Sequence, residues 1–194
     1  MIMVDEEIID EVYEIRNPFA ISDFNVEQLN SNSYDVRLGN EFIYDFTYEH
    51  ALINPFLVNP FDKCTYPDTS QIFINKCNGA IISPLEFVLA TTKERIKLPD
   101  NITASLNGKS SLARLGLQIH QTGGWIDAGF EGQITLELFN ASRHSIKLTP
   151  EMRIGQLVFH KTNPCMKPYN KHINSKYCGQ SGVQTSKYYA NQEE

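Results

Sequence analysis

The sequence predicts a mostly-β protein, a barrel or jelly-roll-like sandwich, and three observations support this fold class. About ten short segments rich in branched and aromatic residues are separated by Gly, Pro, Asn and Asp. No long helices alternate with these segments, as a parallel sheet would require. With 194 residues, 41% of them hydrophobic, the chain is long enough for one domain with a real core, which we expect over residues 1–194.

The elements are predicted in order along the chain. Residues 4–15 carry apolar side chains every three or four positions among acids, which predicts an amphipathic helix within an N-terminal lead-in of residues 1–30. Residues 50–68 contain Asn-Pro and Tyr-Pro steps and little periodicity, which indicates a long loop or insertion. After Lys161 the chain is polar with no apolar face to hold it on the core, so this tail is flexible or is ordered by something else. The strand segments are SYDVRLG, EFIYDF, QIFIN, GAIIS, EFVLAT, ERIKL, NITASL, QITLELF, SIKL and MRIGQLVFH.

Charge and cysteine content exclude several classes of protein. Seventeen basic and 23 acidic residues give a formal charge of −6, which argues against a nucleic-acid binder but not against small phosphorylated ligands. No apolar run approaches the roughly 18 residues of a membrane span, and the acidic N-terminus lacks the basic segment of a secretory signal. We therefore expect a cytoplasmic protein. The four cysteines form no CxxC pair, which favours buried reduced thiols over a disulfide framework or a zinc site.

Residues 107–116 (NGKSSLARLG) form the first candidate site. A glycine turn leads into a short helical stretch that begins with Lys109, Ser110 and Ser111, and Arg114 follows on the same face as Ser110. Helix N-terminal amides, small hydroxyls and two cations together favour phosphate binding. The same residues also suit an ordinary serine cap with a solvated lysine and arginine, and the GxxxxGK[ST] phosphate loop is absent.

Residues 120–140 (HQTGGWIDAGFEGQITLELFN) join a glycine-rich turn to a strand of strict alternation. On that strand Ile134, Leu136 and Leu138 lie on one face, and Gln133, Thr135 and Glu137 lie on the other. Glu137 is then either a solvated carboxylate on the outside of a sheet or a general base at the mouth of a cleft. For Asp127, capping of the turn competes with activation of water. The pattern leaves both alternatives open.

Three segments, GKSSLARLGL, QTGGWIDAGFEGQITLELFN and MRIGQLVF, resemble in order and spacing the dCTP deaminase branch of the dUTPase superfamily. The resemblance extends through SYDVRLG, ISPLEFVLATTKERIKLP, KPYN and SKYCGQSG and leaves out residues 41–78, a variable loop or insertion. It implies a distorted jelly-roll β-barrel with a short helix after GKSS. It also implies a homotrimer with active sites between subunits, and Mg²⁺ held by the nucleotide phosphates.

The resemblance assigns catalytic roles to four residues. Glu137 is the acid/base that takes a proton from water attacking C4 of cytosine, a route that uses no zinc. Ser110 and Arg114 order the reacting water and base. Asp127 contacts the sugar 3′-hydroxyl and, in members that cleave the triphosphate, helps to align water at the α-phosphorus.

The resemblance also implies a set of nucleotide contacts. Lys109 stands where the family has arginine or lysine, and lysine offers a point charge in place of a fork. The tail, residues 165–194, would close over bound triphosphate as a lid. The substrate-binding residues are Lys109, Ser110, Ser111, Leu112, Ala113, Arg114, Asp127, Thr135, Leu136, Glu137, Gln156, Tyr169, Lys176 and Gln180.

Two short features distinguish branches of the family. Strictly deaminating members have a bulky residue, commonly histidine, two positions after the turn threonine, whereas this chain has Gly123-Gly124 after Thr122, as dUMP-forming bifunctional members have glycine. Gln156 also resembles the bifunctional group. In contrast, Gly123 replaces the usual alanine, and KPYNKH resembles the strictly deaminating group.

The resemblance therefore implies conversion of dCTP to dUMP, diphosphate and ammonia, with dTTP as an expected feedback inhibitor. The alternatives are a deaminase that stops at dUTP, a dUTPase without deamination, and a nucleotide-binding regulator without turnover.

Overall fold

The computed structural model describes residues 1–14, 18–45, 69–73, 79–173 and 175–191, and it confirms the mostly-β class. Two α-helices are present in these residues, α1 (Asp5–Tyr13) and α2 (Ser110–Ala113), with 3₁₀ turns at Val26–Gln28, Tyr169–Lys171 and Tyr188–Asn191. The strands are β1 (Ala20–Ile21), β2 (Leu29–Asn30), β3 (Ser33–Asp45), β4 (Thr69–Phe73), β5 (Ala80–Ile82), β6 (Phe87–Lys97), β7 (Ile102–Gly108), β8 (Leu117–Gln118), β9 (Trp125–Ile126), β10 (Glu131–Asn140), β11 (Ile146–Leu148) and β12 (Arg153–Lys161).

Ten of the described strands form one curled antiparallel sheet, and β5 and β11 form a separate pair. The main path runs β8-β10-β6-β3-β12-β7-β9, with β1 on β6 and with β2 and β4 on β3. The curl turns the apolar faces of these strands inward, so that they share one core. Strand β10 and the β3-β12-β7 region, which carry the candidate site, are therefore parts of one sheet.

Helix α1 confirms the predicted N-terminal helix with shorter bounds. It begins after Val4, whose amide donates to Glu7 Oε2 at 3.0 Å, and its apolar side buries Ile8. The last residue of the predicted range, Ile15, lies outside the described residues. Packing of Ile8 into the core shows that this helix is structural.

Two long strands replace pairs of predicted short ones. SYDVRLG and EFIYDF join into β3, and EFVLAT and ERIKL join into β6. Gly39 allows β3 to pass close to β6, because a Cβ atom there would lie 2.7 Å from Thr91 Cγ2. In β6 the charged Glu94 does not interrupt the strand, since it is buried with Arg37 Nε donating to its Oε1 at 2.6 Å.

Residues 41–78 are not wholly the predicted loop. Residues 41–45 belong to β3 and pair in antiparallel register with β4. The loop predicted over residues 50–68 lies outside the described residues, as does the end of the predicted strand QIFIN. The sequence also missed the two-residue strands β1, β2, β8 and β9, which are too short for a periodic pattern.

The two described cysteines are free, but the prediction that they are buried is wrong. Cys165 is exposed and Cys178 is half-exposed, because both lie on the polar tail that crosses the surface. Cys64 and Cys77 lie outside the described residues. In the described part of the chain, no group of three or more His, Cys, Asp or Glu side chains is placed to hold a metal ion.

The described helices are also too short and too polar for any of them to span a membrane.

Candidate active site

The alternation predicted for β10 is confirmed and produces a polar outer face. Ile134, Leu136 and Leu138 are buried in the core, while Gln133, Thr135 and Glu137 are partly exposed on the opposite face. The side chain of Leu136, one of the predicted substrate-binding residues, therefore points into the core. Only its main chain can face a ligand.

Glu137 is the carboxylate at the centre of this face. Its Oε2 atom accepts a hydrogen bond from the Gln121 amide at 2.8 Å, and its own amide donates to the Ile119 carbonyl at 3.0 Å. The other carboxylate oxygen, Oε1, faces the glycine turn, 3.4 Å from where a Cβ atom of Gly123 would lie. The hydrogen bond from the Gln121 amide thus orients the carboxylate, as the role of an acid/base group requires.

Gly124 lies where an added side chain would be crowded by its neighbours. Its carbonyl accepts from the Leu106 amide at 2.7 Å, and a Cβ atom would lie 3.0 Å from the Leu106 carbonyl oxygen and 3.1 Å from the His120 ring. His120 Nδ1 is buried without a hydrogen-bond partner among the described residues. The two glycines therefore differ, since Gly123 has more room than Gly124.

The segment after β7 differs from a serine-capped helix. Lys109 is the residue that precedes α2, and its ammonium lies 2.6 Å from Oδ2 of the buried Asp35. Lys109 is therefore not the solvated lysine that an ordinary serine-capped helix would have. Ser110 and Arg114 lie one turn apart, with the Arg114 amide donating to the Ser110 carbonyl at 3.0 Å. Ser110, Ser111, Ala113 and Arg114 are exposed, and Leu112 packs partly against the core.

The structure does not join α2 to the Glu137 carboxylate within one chain. Among the described residues, no hydrogen bond or ion pair links Ser110, Ser111 or Arg114 to Glu137. The side chains of Ser110, Ser111 and Arg114 are instead exposed to solvent.

Asp127 and Tyr169 lie together at the turn that precedes β10. Asp127 Oδ1 accepts from the Trp125 indole at 3.2 Å, and the Tyr169 amide donates to the Ala128 carbonyl at 2.8 Å. The Tyr169 hydroxyl accepts from the Tyr177 amide at 3.1 Å. Burial raises the pKa of the Tyr169 phenol, which therefore stays protonated and able to donate a hydrogen bond well above neutral pH.

The tail packs on the polar face of β10 and is held there mainly by hydrogen bonds, not by an apolar face of its own. Gln180 donates its side-chain amide to the Gln133 carbonyl, and its carbonyl oxygen accepts from the Gln133 amide at 3.2 Å. The Gly182 amide donates to Gln133 Oε1 at 2.8 Å, and Val183 is buried. The Gln184 amide donates to Thr135 Oγ1 at 3.2 Å.

Charged residues add to this attachment. Arg95 donates to the Gln180 carbonyl at 3.1 Å, and Glu41 Oε2 accepts from the Val183 amide at 3.2 Å. The side-chain oxygen Oε1 of Gln180 is buried with no hydrogen-bond partner in the described part of the chain. Lys176 lies over the Tyr188 ring, 5.8 Å from its centroid.

Gln156 belongs to a second polar group, on the face shared by β3, β12 and β7. It is opposite Asp35 on β3 and Asn107 on β7, and its Oε1 accepts from the Ser33 hydroxyl at 3.3 Å. Apart from the residues of α2 and Arg114, most of the predicted residues thus fall into two groups within the chain. Thr135, Glu137, Gln180, Asp127 and Tyr169 follow β10 and its preceding turn, and Lys109 and Gln156 lie on the second face.

Sequence reasoning missed three residues that hold the site in place. Gln121 orients Glu137, Gln133 binds the tail, and Asp35 binds Lys109. The alternation of β10 contained a signal for Gln133, which shares its face with Thr135 and Glu137. No local pattern marks Asp35 or Gln121, because their partners are distant in sequence or are main-chain atoms.

Gly129 offers a test of how the tail is seated. It has φ +84°, and a Cβ atom would lie 2.7 Å from Pro168 Cβ and 2.9 Å from the Tyr169 amide nitrogen. We expect Gly129→Ala to displace the segment around Tyr169, to cost about 2 kcal/mol of stability, and to speed proteolysis of the tail. Gly179→Ala is the control, since φ is +75° there but nothing lies within 4 Å of the added atom. Equal proteolysis of the two variants would contradict this seating.

The comparisons with known proteins agree with one another. A family model described as dCTP deaminase-like matches residues 2–162. A protein of Methanospirillum hungatei named dCTP deaminase, dUMP-forming, is 42% identical over 193 residues, which cover 100% of this chain and 99% of that protein. A protein of the same name from Methanosphaerula palustris is 41% identical over 192 residues, which cover 99% of this chain and 98% of that protein.

A likeness in fold alone is found with a solved structure. The crystal structure of 2′-deoxycytidine 5′-triphosphate deaminase from Agrobacterium tumefaciens superposes with a TM-score of 0.60 at 23% identity. The superposition covers 81% of this chain and 47% of that one, so this chain spans about half the length of that solved chain.

Proposed function

The chain belongs to the dCTP deaminase-like family, and we propose that it converts dCTP to dUMP by the reaction dCTP + 2 H₂O → dUMP + diphosphate + NH₃. One observation in the structure supports this most directly. The Glu137 carboxylate is oriented by the Gln121 amide on the polar face of β10, beside a turn with two glycines. This arrangement suits a general base with space for water next to it.

In this proposal Glu137 carries out the deamination. Its carboxylate accepts a proton from the water that attacks C4 of cytosine, and it returns protons to N3 and to the leaving amine, so that ammonia departs. Ser110 and Arg114 order this water and the base. The main chain of Leu136, with Thr135 and Glu137, lines the base along β10.

Cleavage of the triphosphate uses the neighbouring turn. Asp127 contacts the 3′-hydroxyl and aligns a second water at the α-phosphorus, so that the bond to the diphosphate breaks and dUMP remains. Gly123 and Gly124 leave the space for this water. Tyr169 lies beside Asp127 and can donate its phenolic proton.

The cations and hydroxyls around α2 suit the phosphates. Lys109, Ser110 and Ser111 contact them from α2, Gln156 from the second face, and Lys176 and Gln180 from the tail. Mg²⁺ bound by the phosphates would offset part of their charge, as is usual for nucleoside triphosphates. The side chains placed here are donors and cations, which fits a metal that the nucleotide itself carries.

We also expect dTTP to compete for this site as a feedback inhibitor. An assay of dCTP turnover in the presence of dTTP tests this expectation.

A second subunit completes the site in this proposal. The outward-facing Ser110, Ser111 and Arg114 have no hydrogen bond to the Glu137 region among the described residues, so a neighbouring copy supplies them to it. We propose a homotrimer, for which light scattering should give the mass of three chains. A monomer that turns over dCTP would contradict this assembly.

The identity of the product tests the reaction. The purified protein with dCTP and Mg²⁺ should release ammonia and form dUMP in equal amounts, without free dUTP, as measured by anion-exchange chromatography beside an ammonia assay. Accumulation of dUTP would indicate a deaminase that stops at dUTP. Unconsumed dCTP would instead indicate a dUTPase without deamination or a nucleotide-binding regulator.

Gly124 is expected to control which product forms. In Gly124→His the new side chain must displace the Leu106 and His120 neighbours, so water should lose its place near the triphosphate. We expect the ratio of dUMP to dUTP to fall at least about tenfold. Gly123→Ala is the control, because its added atom meets nothing nearer than 3.4 Å and it should still form dUMP. An unchanged product ratio in Gly124→His would exclude this turn as the determinant.

A further inference from the structure

A buried carboxylate on β3 holds two cations. Asp35 is 1% exposed, and its Oδ2 atom lies 2.6 Å from the Lys109 ammonium and 3.5 Å from Nη1 of Arg153. Its other oxygen accepts from the Asn30 amide group at 3.0 Å. A buried carboxylate needs a cation to compensate its charge, but one suffices. The second cation therefore leaves a surplus positive charge at this position.

The adjacent charges do not cancel that surplus. Next to Arg153 in the β3-β12 register, Arg37 pairs with Glu94 at 2.6 Å and lies 3.6 Å from Glu151. Lys93 binds Glu151 at 2.7 Å. Among the described residues, this neighbouring group has two cations and two carboxylates, so its charges balance within that part of the chain. The extra charge thus belongs to Lys109 and Arg153.

Arg153 is the more accessible of the two cations. Its side chain is 47% exposed, compared with 26% for Lys109. A guanidinium carries five N–H donors in a planar fork, and among the described residues its ion pair with Asp35 engages only Nη1. Lys109 directly precedes Ser110, which the proposed function places on phosphate. A fork with free donors therefore lies next to the phosphate-binding segment.

We propose that Arg153 is a further phosphate-binding residue of the site and that Asp35 is the positioning residue that holds Arg153 and Lys109 side by side. This inference rests on the proposed function, because the ligand is the triphosphate of the substrate. Lysine gives a single point charge, whereas the fork of Arg153 matches two phosphate oxygens at once. Arg153 thus supplies the bidentate contact that Lys109 cannot make.

Calorimetric titration with dCTP tests this inference apart from turnover. In the full-length protein carrying Glu137→Gln, to prevent consumption of the ligand, Arg153→Gln should weaken dCTP binding about tenfold. Binding of dCMP, which lacks two phosphates, should weaken less. Lys147→Gln is the charge-matched control, since Lys147 is exposed on β11 in the separate two-stranded sheet, and it should bind dCTP like the parent.

The outcomes separate the two proposals. If Arg153→Gln binds dCTP as tightly as Lys147→Gln does, Arg153 has no phosphate role, whatever the product assay shows. If the wild-type protein leaves dCTP unconsumed but Arg153→Gln still weakens dCTP binding, the proposed reaction fails and the binding role stands. A parent protein that binds no dCTP overturns both.

A conservative variant guards against a purely structural effect. Arg153→Lys keeps the charge beside Asp35 and removes the fork, so it should bind dCTP about threefold more weakly than the parent with an unchanged melting temperature. If Arg153→Gln is unstable, this variant carries the comparison. Parent-like affinity in Arg153→Lys would show that no bidentate contact exists.

Discussion

Replacing Glu137 with glutamine is expected to lower the rate of ammonia release by about 10²–10⁴-fold while dCTP binding stays within a few-fold of wild type. Glutamine preserves the shape of the side chain, and its amide oxygen can still accept the 2.8 Å hydrogen bond from the Gln121 amide. It cannot accept the proton of the attacking water. The measurements are an ammonia assay and a calorimetric titration with dCTP.

Glu131→Gln is the matched control, because Glu131 lies on the same strand and the same face as Glu137. A hydrogen bond from Lys97 lowers the pKa of Glu131, and Arg95 also pairs with it, so it is a poor proton acceptor at neutral pH. These pairs are partly exposed and contribute little stability. Its turnover should stay within about threefold of wild type. Normal ammonia release by Glu137→Gln would exclude Glu137 as the base.

Removal of the residues after Tyr169 is expected to lower kcat/KM for dCTP about 100-fold or more and to leave the core folded. The tail carries Lys176 and Gln180 and covers the polar face of β10, so its loss removes phosphate contacts and admits water to the site. The main residue that the tail contributes to the buried core is Val183. The melting temperature should therefore fall by only a few degrees, as measured by calorimetry beside steady-state kinetics.

A shorter truncation provides the comparison. Deleting residues 192–194 leaves Gln180, Val183 and Gln184 in place, and kcat/KM should match that of the full chain. A large loss of melting temperature after the longer truncation would make the tail a structural element of the fold. Full activity after it would remove the tail from the site.

Much of the fold follows from local pattern. The strict alternation of residues 133–138 predicted both the buried row of β10 and the outward position of Glu137, because side chains of a strand alternate between its faces. The spacing of Ile8 and Val12 predicted α1 in the same way. Strands of two residues, such as β1 and β9, are too short to show an alternating pattern, so the sequence does not predict them.

For the tail, the polar composition left two alternatives open, a flexible segment or one ordered by something other than an apolar face. In the structure the tail is attached largely by hydrogen bonds to Gln133, Thr135 and Glu41. The pattern of hydrophobic residues contains no information about such hydrogen bonds. Main-chain donors and acceptors can hold a polar residue as firmly as burial holds an apolar one.

The sequence by itself determined the class of fold, the family and the chemical types of the candidate site residues, because these depend on composition, periodicity and ordered motifs. Only the tertiary structure decided which of them meet. Asp35 and Lys109 are 74 positions apart, and Asp35 and Arg153 belong to strands that become neighbours only when the sheet forms. Their pairing depends on strand register and on the need of a buried carboxylate for a cation, which no local stretch of sequence encodes.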